Sequence, residues 1–146
     1  FVLLDCGEDK PDGTEVYYGM NDFTQYRKDQ AQFLQTELAG PEFTAAARKV
    51  LIHHIPIYGN AVAKFNPCKE LWQPHLAAAG FDVSLNGHLH RYELIEKGAS
   101  ENNFPVVIGG GYKEENATVM ILKKTGERLN LRVVHAKGNT LLNRDL

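Results

Sequence analysis

Four of the chain's six histidines fall in two short clusters, Gly87-His88-Leu89-His90 and, upstream, His53-His54-Ile55-Pro56. Imidazole is the commonest protein ligand for catalytic transition metals, so the two clusters together read as parts of a metal site. If the segment after Gly87 is extended, side chains alternate: His88 and His90 project to one side and Leu89 to the other. Their α-carbons then stand roughly 6.5 Å apart, a spacing that suits one metal or two metals about 3.5–4 Å apart. By itself this His-x-His pattern also fits two surface histidines on a loop. His53 and His54 are neighbours, so alternation sends them to opposite faces and only one joins the downstream pair. Parity does not choose between them, because Val50, Leu51 and Ile52 make both faces apolar. The other histidine is expected to pack, hydrogen-bonded to a backbone carbonyl. His75, in a helical pattern, and His135, at the end of a late strand, are expected to lie elsewhere.

The elements that must position these clusters alternate in type, which predicts an α/β fold. Phe1 to Cys6 reads as a strand running into an exposed loop from Glu8 to Thr14. From Asp29 the apolar residues Ala31, Phe33, Leu34 and Leu38 take helical spacing, closed by Gly40-Pro41, and Glu42 to Lys49 is rich in alanine, predicting a second short helix. Val50-Leu51-Ile52 reads as a strand buried on both faces, as in a parallel sheet covered on both sides. Tyr58-Gly59-Asn60 opens a loop, Cys68 to Ala79 is helical up to Gly80, and Phe81 to Leu85 is a short strand leading straight to the second cluster. Both clusters follow strands that come after helical segments, so they are expected at one carboxyl edge of a parallel sheet, where such sheets place their ligand sites. Beyond them the chain turns β-rich, with strands over Tyr92 to Ile95, Pro105 to Ile108, Thr118 to Lys123 and Leu129 to His135, the last two joined by a turn at Thr125-Gly126-Glu127. No helical pattern follows Gly109-Gly110-Gly111, so that run predicts a tight turn with close backbone approach rather than a phosphate-cradling loop.

The 146 residues form one partial domain, 1–146, and 43% hydrophobic with 23% charged residues is a globular composition. A net charge of −2 without a basic run offers no footprint for nucleic acid. Apolar stretches of about five residues are too short to span a bilayer within this segment. Cys6 and Cys68 lack CxxC partners and read as buried free thiols. The apolar start Phe1-Val2-Leu3-Leu4, without methionine, reads as the beginning of a segment cut from something longer.

Gly87-His88-Leu89-His90-Arg91-Tyr92-Glu93 resembles the GHxHxYE signature of the calcineurin-like metallophosphoesterases in their purple acid phosphatase-like form. His54-Ile55-Pro56-Ile57-Tyr58 is similar to that family's HxPxY segment. Gln30, Phe33, Leu34 and Leu38 resemble its QxxWLxxxL helix, with phenylalanine in place of tryptophan, and Leu4-Asp5 the strand before it. The resemblance covers about residues 1 to 112. It implies a four-layer αββα sandwich and metal-dependent hydrolysis of phosphate esters, with two divalent cations (Mn, Fe or Zn) that activate the attacking water and hold the phosphate. It further implies that His54 and His88 share one metal and that His90 binds the second. His53, Asn86, Tyr92 and Glu93 are expected to support the site rather than to bind metal.

The family's amino-terminal motifs, DxH, GDxxD and GNH(D/E), do not occur in this chain. They supply the aspartates and asparagine that hold and bridge the metals, and neither Asp5 nor Asp82 is placed to replace them. The sequence therefore reads as the carboxyl-terminal half of a metallophosphoesterase sandwich: a mixed sheet with flanking helices, then a β-rich part, with an incomplete active site. The alternatives are a catalytically inert module of the same fold and a mononuclear-zinc structural or binding domain. The truncated chain is expected to self-associate through its uncovered surface.

Overall fold

Val50 and Leu51 are both buried although they point to opposite faces, so the strand they begin is covered on both sides. The computed structural model describes residues 1–59 and 65–146, so Asn60 of the expected loop lies outside the described residues. One sheet contains β1 (Val2–Leu4), β2 (Val50–His53), β3 (Val83–Asn86), β4 (Glu93–Ile95) and β5 (Val106–Ile108), in the order β1-β2-β3-β5-β4. It is mixed: β1, β2, β3 and β5 are parallel, and β4 runs antiparallel to β5. A second, antiparallel sheet is formed by β6 (Thr118–Thr125), β7 (Arg128–His135) and β8 (Thr140–Asp145) in sequence order.

The period-two alternation of the first sheet divides its apolar residues between two cores. Val2, Leu4, Leu51, Val106 and Ile108 meet Leu34 of helix α1 (Phe23–Ala39) and Trp72 and Leu76 of helix α3 (Pro67–Leu76). Val50, Val83 and Val107 face the other way, onto Leu129, Leu131 and Val133 of β7. The layers are thus helices, mixed sheet and antiparallel sheet, an α/β architecture. Each fully buried aliphatic side chain in these cores stabilises the fold by about 1.5–3 kcal/mol. On the outer face of the second sheet Val119 and Ile121 are exposed, so the described residues make three layers rather than four.

The elements differ from sequence expectation where tertiary contacts intervene. Helix α1 begins at Phe23 rather than Asp29, because Asp12, from the preceding loop, accepts from the Phe23 and Thr24 amides at 3.0 and 2.9 Å and Asp22 accepts from Gln25 at 3.3 Å. The alanine-rich stretch yields only α2 (Pro41–Ala45), and α3 stops at Leu76. Strand β8 has no clear sequence alternation and exists through pairing with β7.

Strand β1 is an edge, and it leaves Phe1 and Leu3 exposed at 77% and 62%. An apolar parallel edge is a template for another chain. The isolated chain is therefore expected to dimerise or exchange elements at micromolar concentration. A monodisperse monomer in light scattering would count against that expectation.

Candidate functional site

Strands β2 and β3 are adjacent and parallel, so their carboxyl ends emerge side by side. The ladder continues past them: Gly87 N donates to the His54 carbonyl at 2.9 Å, and Gly109 N to the Asn86 carbonyl at 2.8 Å. These bonds bring the two clusters to one sheet edge, where the His54 and His88 rings meet edge to face with centroids 5.4 Å apart. Gly87 makes the room, since a Cβ there would sit 3.1 Å from His54 Nδ1. The change Gly87→Ala is expected to displace the His54 ring, and if His54 is a zinc ligand it is expected to weaken zinc binding by roughly 10–100-fold, the usual scale for disturbing a ligand's support. Unchanged affinity in isothermal titration would show that His54 takes no part.

Sheet parity separates His53 from His54. His53 shares the helix-facing side with Leu51, is 3% exposed and meets the Trp72 ring edge-on at 5.6 Å. Its Nδ1 lies 2.9 Å from the Ile55 carbonyl, the backbone partner expected of the packed histidine. Asn86 and Ser84 close this buried cluster, Asn86 Nδ2 donating to the His53 carbonyl at 2.8 Å and Ser84 Oγ donating to Asn86 Oδ1 at 2.9 Å. His54 is exposed instead, beside an open cleft of about 400 Å³ between the sheets that Leu3, Ile52, Leu85, Gly87 and Met120 line and that His53 and Asn86 also border.

Gly87 to His90 is not extended. Strand β3 ends at Asn86, and Leu89 N donates to the Gly87 carbonyl at 2.8 Å, a three-residue turn centred on His88 with φ 70°. His90 is also left-handed, at φ 54°. Such backbone in non-glycine residues costs energy and persists only where the surroundings enforce it. Topology enforces it here: β4 pairs on the far side of β5, so the chain leaving β3 must cross the end of β5 and reverse. Alternation therefore does not hold His88 and His90 side by side. The His90 ring meets Tyr112 edge-on at 5.5 Å, and at Gly111 a Cβ would come within 2.8 Å of the His90 Cβ. At Gly110 the Asn116 carbonyl approaches so closely that a Cβ would sit 1.5 Å from it, the close backbone approach expected of the triple-glycine run.

Tyr92 packs into the core between the sheets, and burial raises its phenol above the ordinary range. Glu93 pairs with Arg91 at 3.4 Å and turns toward Gly59. His135 accepts from Lys137 N on Nδ1 at 3.1 Å, which leaves Nε2 to donate to the Glu115 carbonyl at 3.0 Å, so both ring nitrogens are committed. His75 lies in the last turn of α3. Among the described residues no group of three or more His, Cys, Asp or Glu is placed to hold a metal ion, and no helix is long and apolar enough to cross a membrane.

Two residues of the site escaped the sequence reading. Asp9 Oδ2 stands 3.7 Å from His88 Nε2, and the hydrogen bond from Lys10, with smaller help from the His88 charge, holds its carboxyl below the ordinary range. Arg27, 1% exposed, anchors that loop by donating from Nε to the Cys6 carbonyl at 2.9 Å and from Nη2 to the Glu8 carbonyl at 2.6 Å. One signal was available for Asp9: it follows β1 at the same carboxyl edge that carries the histidines.

No protein-family model matches the chain, and no curated protein matches it. Among solved structures it is similar to GAP50, described as the anchor in the inner membrane complex of Plasmodium, with a TM-score of 0.60 and 17% identity. The similarity covers 84% of this chain and 43% of that one, so the chain spans less than half the length of that structure. At this identity the likeness shows the fold alone.

Proposed function

We propose that the chain is the carboxyl-terminal half of a calcineurin-like metallophosphoesterase sandwich and that, in a longer protein, it contributes histidines to the hydrolysis of phosphate esters. The observation that carries this reading is the pairing of His54 with His88 at the carboxyl edge of a parallel sheet. Imidazole donors suit a borderline divalent cation such as zinc, iron or manganese, and with Asp9 only 3.7 Å from His88 the remaining ligands would have to come from outside the described residues. When bound, such cations lower the pKa of the attacking water and stabilise charge on the phosphate. His54 and His88 would hold one cation, and His90, in the turn beside Tyr112, would serve the second. The buried His53, Ser84 and Asn86 cluster supports the site by fixing the ends of β2 and β3. Tyr92 and Glu93 fix the start of β4.

A second reading, a catalytically inert module of the same fold, fits the lack of a three-donor group among the described residues, whereas a mononuclear-zinc domain would need three or four donors. Metal binding and turnover separate the two. Under the half-site reading the 146-residue chain alone turns over an aryl phosphate poorly even with manganese or zinc, because the bridging carboxylates lie on the other half. Robust metal-dependent turnover by this chain alone would overturn the half-site reading. Inactivity of the longer protein as well would favour the inert module.

A further inference from the structure

Two thiols lie beneath the site, and the phosphoesterase reading uses neither. Cys6 ends the approach from β1 and is 3% exposed, and Cys68, 2% exposed, lies in the first turn of α3. Both are free. The fold brings them together across a sequence separation of 62 residues. Cys68 Sγ also approaches the Cys6 carbonyl at 4.0 Å. Cys6 Sγ donates to the Ile55 carbonyl at 3.5 Å and lies 3.9 Å from His53 Nδ1, so the pair touches the buried cluster under His54. The Cys68 sulfur thus packs against Cys6 from a separate element, and both thiols are buried in the same core.

We propose that Cys6 and Cys68 are a disulfide-forming pair, a modification site that clasps the end of β1 to α3. The oxidant class is a low-molecular-weight disulfide. The Cys6 thiolate attacks one sulfur of that oxidant, its S–S bond breaks, and a thiolate leaves and takes up the proton lost by Cys6. Cys68 then loses its proton and attacks the Cys6 sulfur, forming the Cys6–Cys68 bond and releasing the second small thiol; the chain is oxidised by two electrons and the oxidant reduced to two thiols. The order of attack follows from the surroundings: the hydrogen bond from Cys68, and then His53, hold the Cys6 thiol low against the opposing effect of burial, whereas the same bond and burial push Cys68 up. The clasp also restrains the loop from Cys6 to Asp12, which brings Asp9 to His88.

The test uses the full chain, reduced and then incubated natively with oxidised glutathione, alkylated and examined by intact mass and peptide mapping. The expected product has lost two hydrogens, resists alkylation and yields one cross-linked peptide joining Cys6 to Cys68. Closing so long a loop is expected to raise Tm by on the order of 10 °C, reversed by dithiothreitol. Cys6→Ser and Cys68→Ser each leave a single thiol and gain no such shift. Two glutathione adducts, a disulfide-linked dimer, or thiols that stay alkylatable under conditions that oxidise the denatured chain would each overturn the proposal.

Discussion

Under the proposed metallophosphoesterase function, replacing His88 with alanine in a protein that carries both halves of the site is expected to lower phosphoesterase turnover at least about a thousandfold. Losing a metal ligand forfeits several kcal/mol of charge stabilisation, and about 4 kcal/mol corresponds to three powers of ten in rate. His54→Ala is expected to match it, because the two rings face each other across one position at the ends of β2 and β3. The informative contrast is His53→Ala. His53 points into the helix-facing core against Trp72, so its loss is expected to cost stability while leaving most of the turnover per folded molecule. The measurement is kcat on an aryl phosphate with metal in excess, alongside a denaturation curve for each variant. Equal kinetic losses at His53 and His54 in fully folded protein would remove the assignment of His54.

The largest expected loss of stability comes from Trp72→Ala, about 3–5 kcal/mol. Trp72 is fully buried and heads the largest side chains of the core between helices and sheet. Its removal leaves a cavity bordered by His53, which the short parallel strands cannot close without moving the ends that carry the site. Trp72→Phe is the control. Its indole Nε1 has no hydrogen-bond partner among the described residues, so phenylalanine keeps most of the apolar contact and deletes an unsatisfied polar group. It is expected to cost less than about 1.5 kcal/mol. Urea unfolding monitored by far-UV circular dichroism measures both. A loss for Trp72→Phe as large as for Trp72→Ala would show that the indole nitrogen is bonded after all.

The α/β class, the strand containing Val50-Leu51-Ile52 and the placement of both histidine clusters after strands were legible because burial on two faces and the change of period are local signals. They depend only on which residues follow which. The start of α1 was not legible, because the carboxylate of Asp12 that caps Phe23 and Thr24 comes from a loop whose path no periodicity reveals. Arg27 was missed because its partners are carbonyls of that same loop, whereas Asp9 carried one signal, its place after β1 at the carboxyl edge.

From sequence alone the two histidine clusters could be expected at one carboxyl edge, since each follows a strand that comes after a helical segment; that β2 and β3 are neighbours was decided by the sheet order. Alternation could not choose between His53 and His54, because both faces of β2 are apolar; the resemblance named His54, and the tertiary structure buries His53 against Trp72 while leaving His54 exposed beside His88. Nor could it foresee the left-handed turn at His88 and His90. Extended alternation was the default, and it was overridden because β5 lies between β3 and β4, a sheet order set by long-range hydrogen bonds rather than by any property of the residues in the turn.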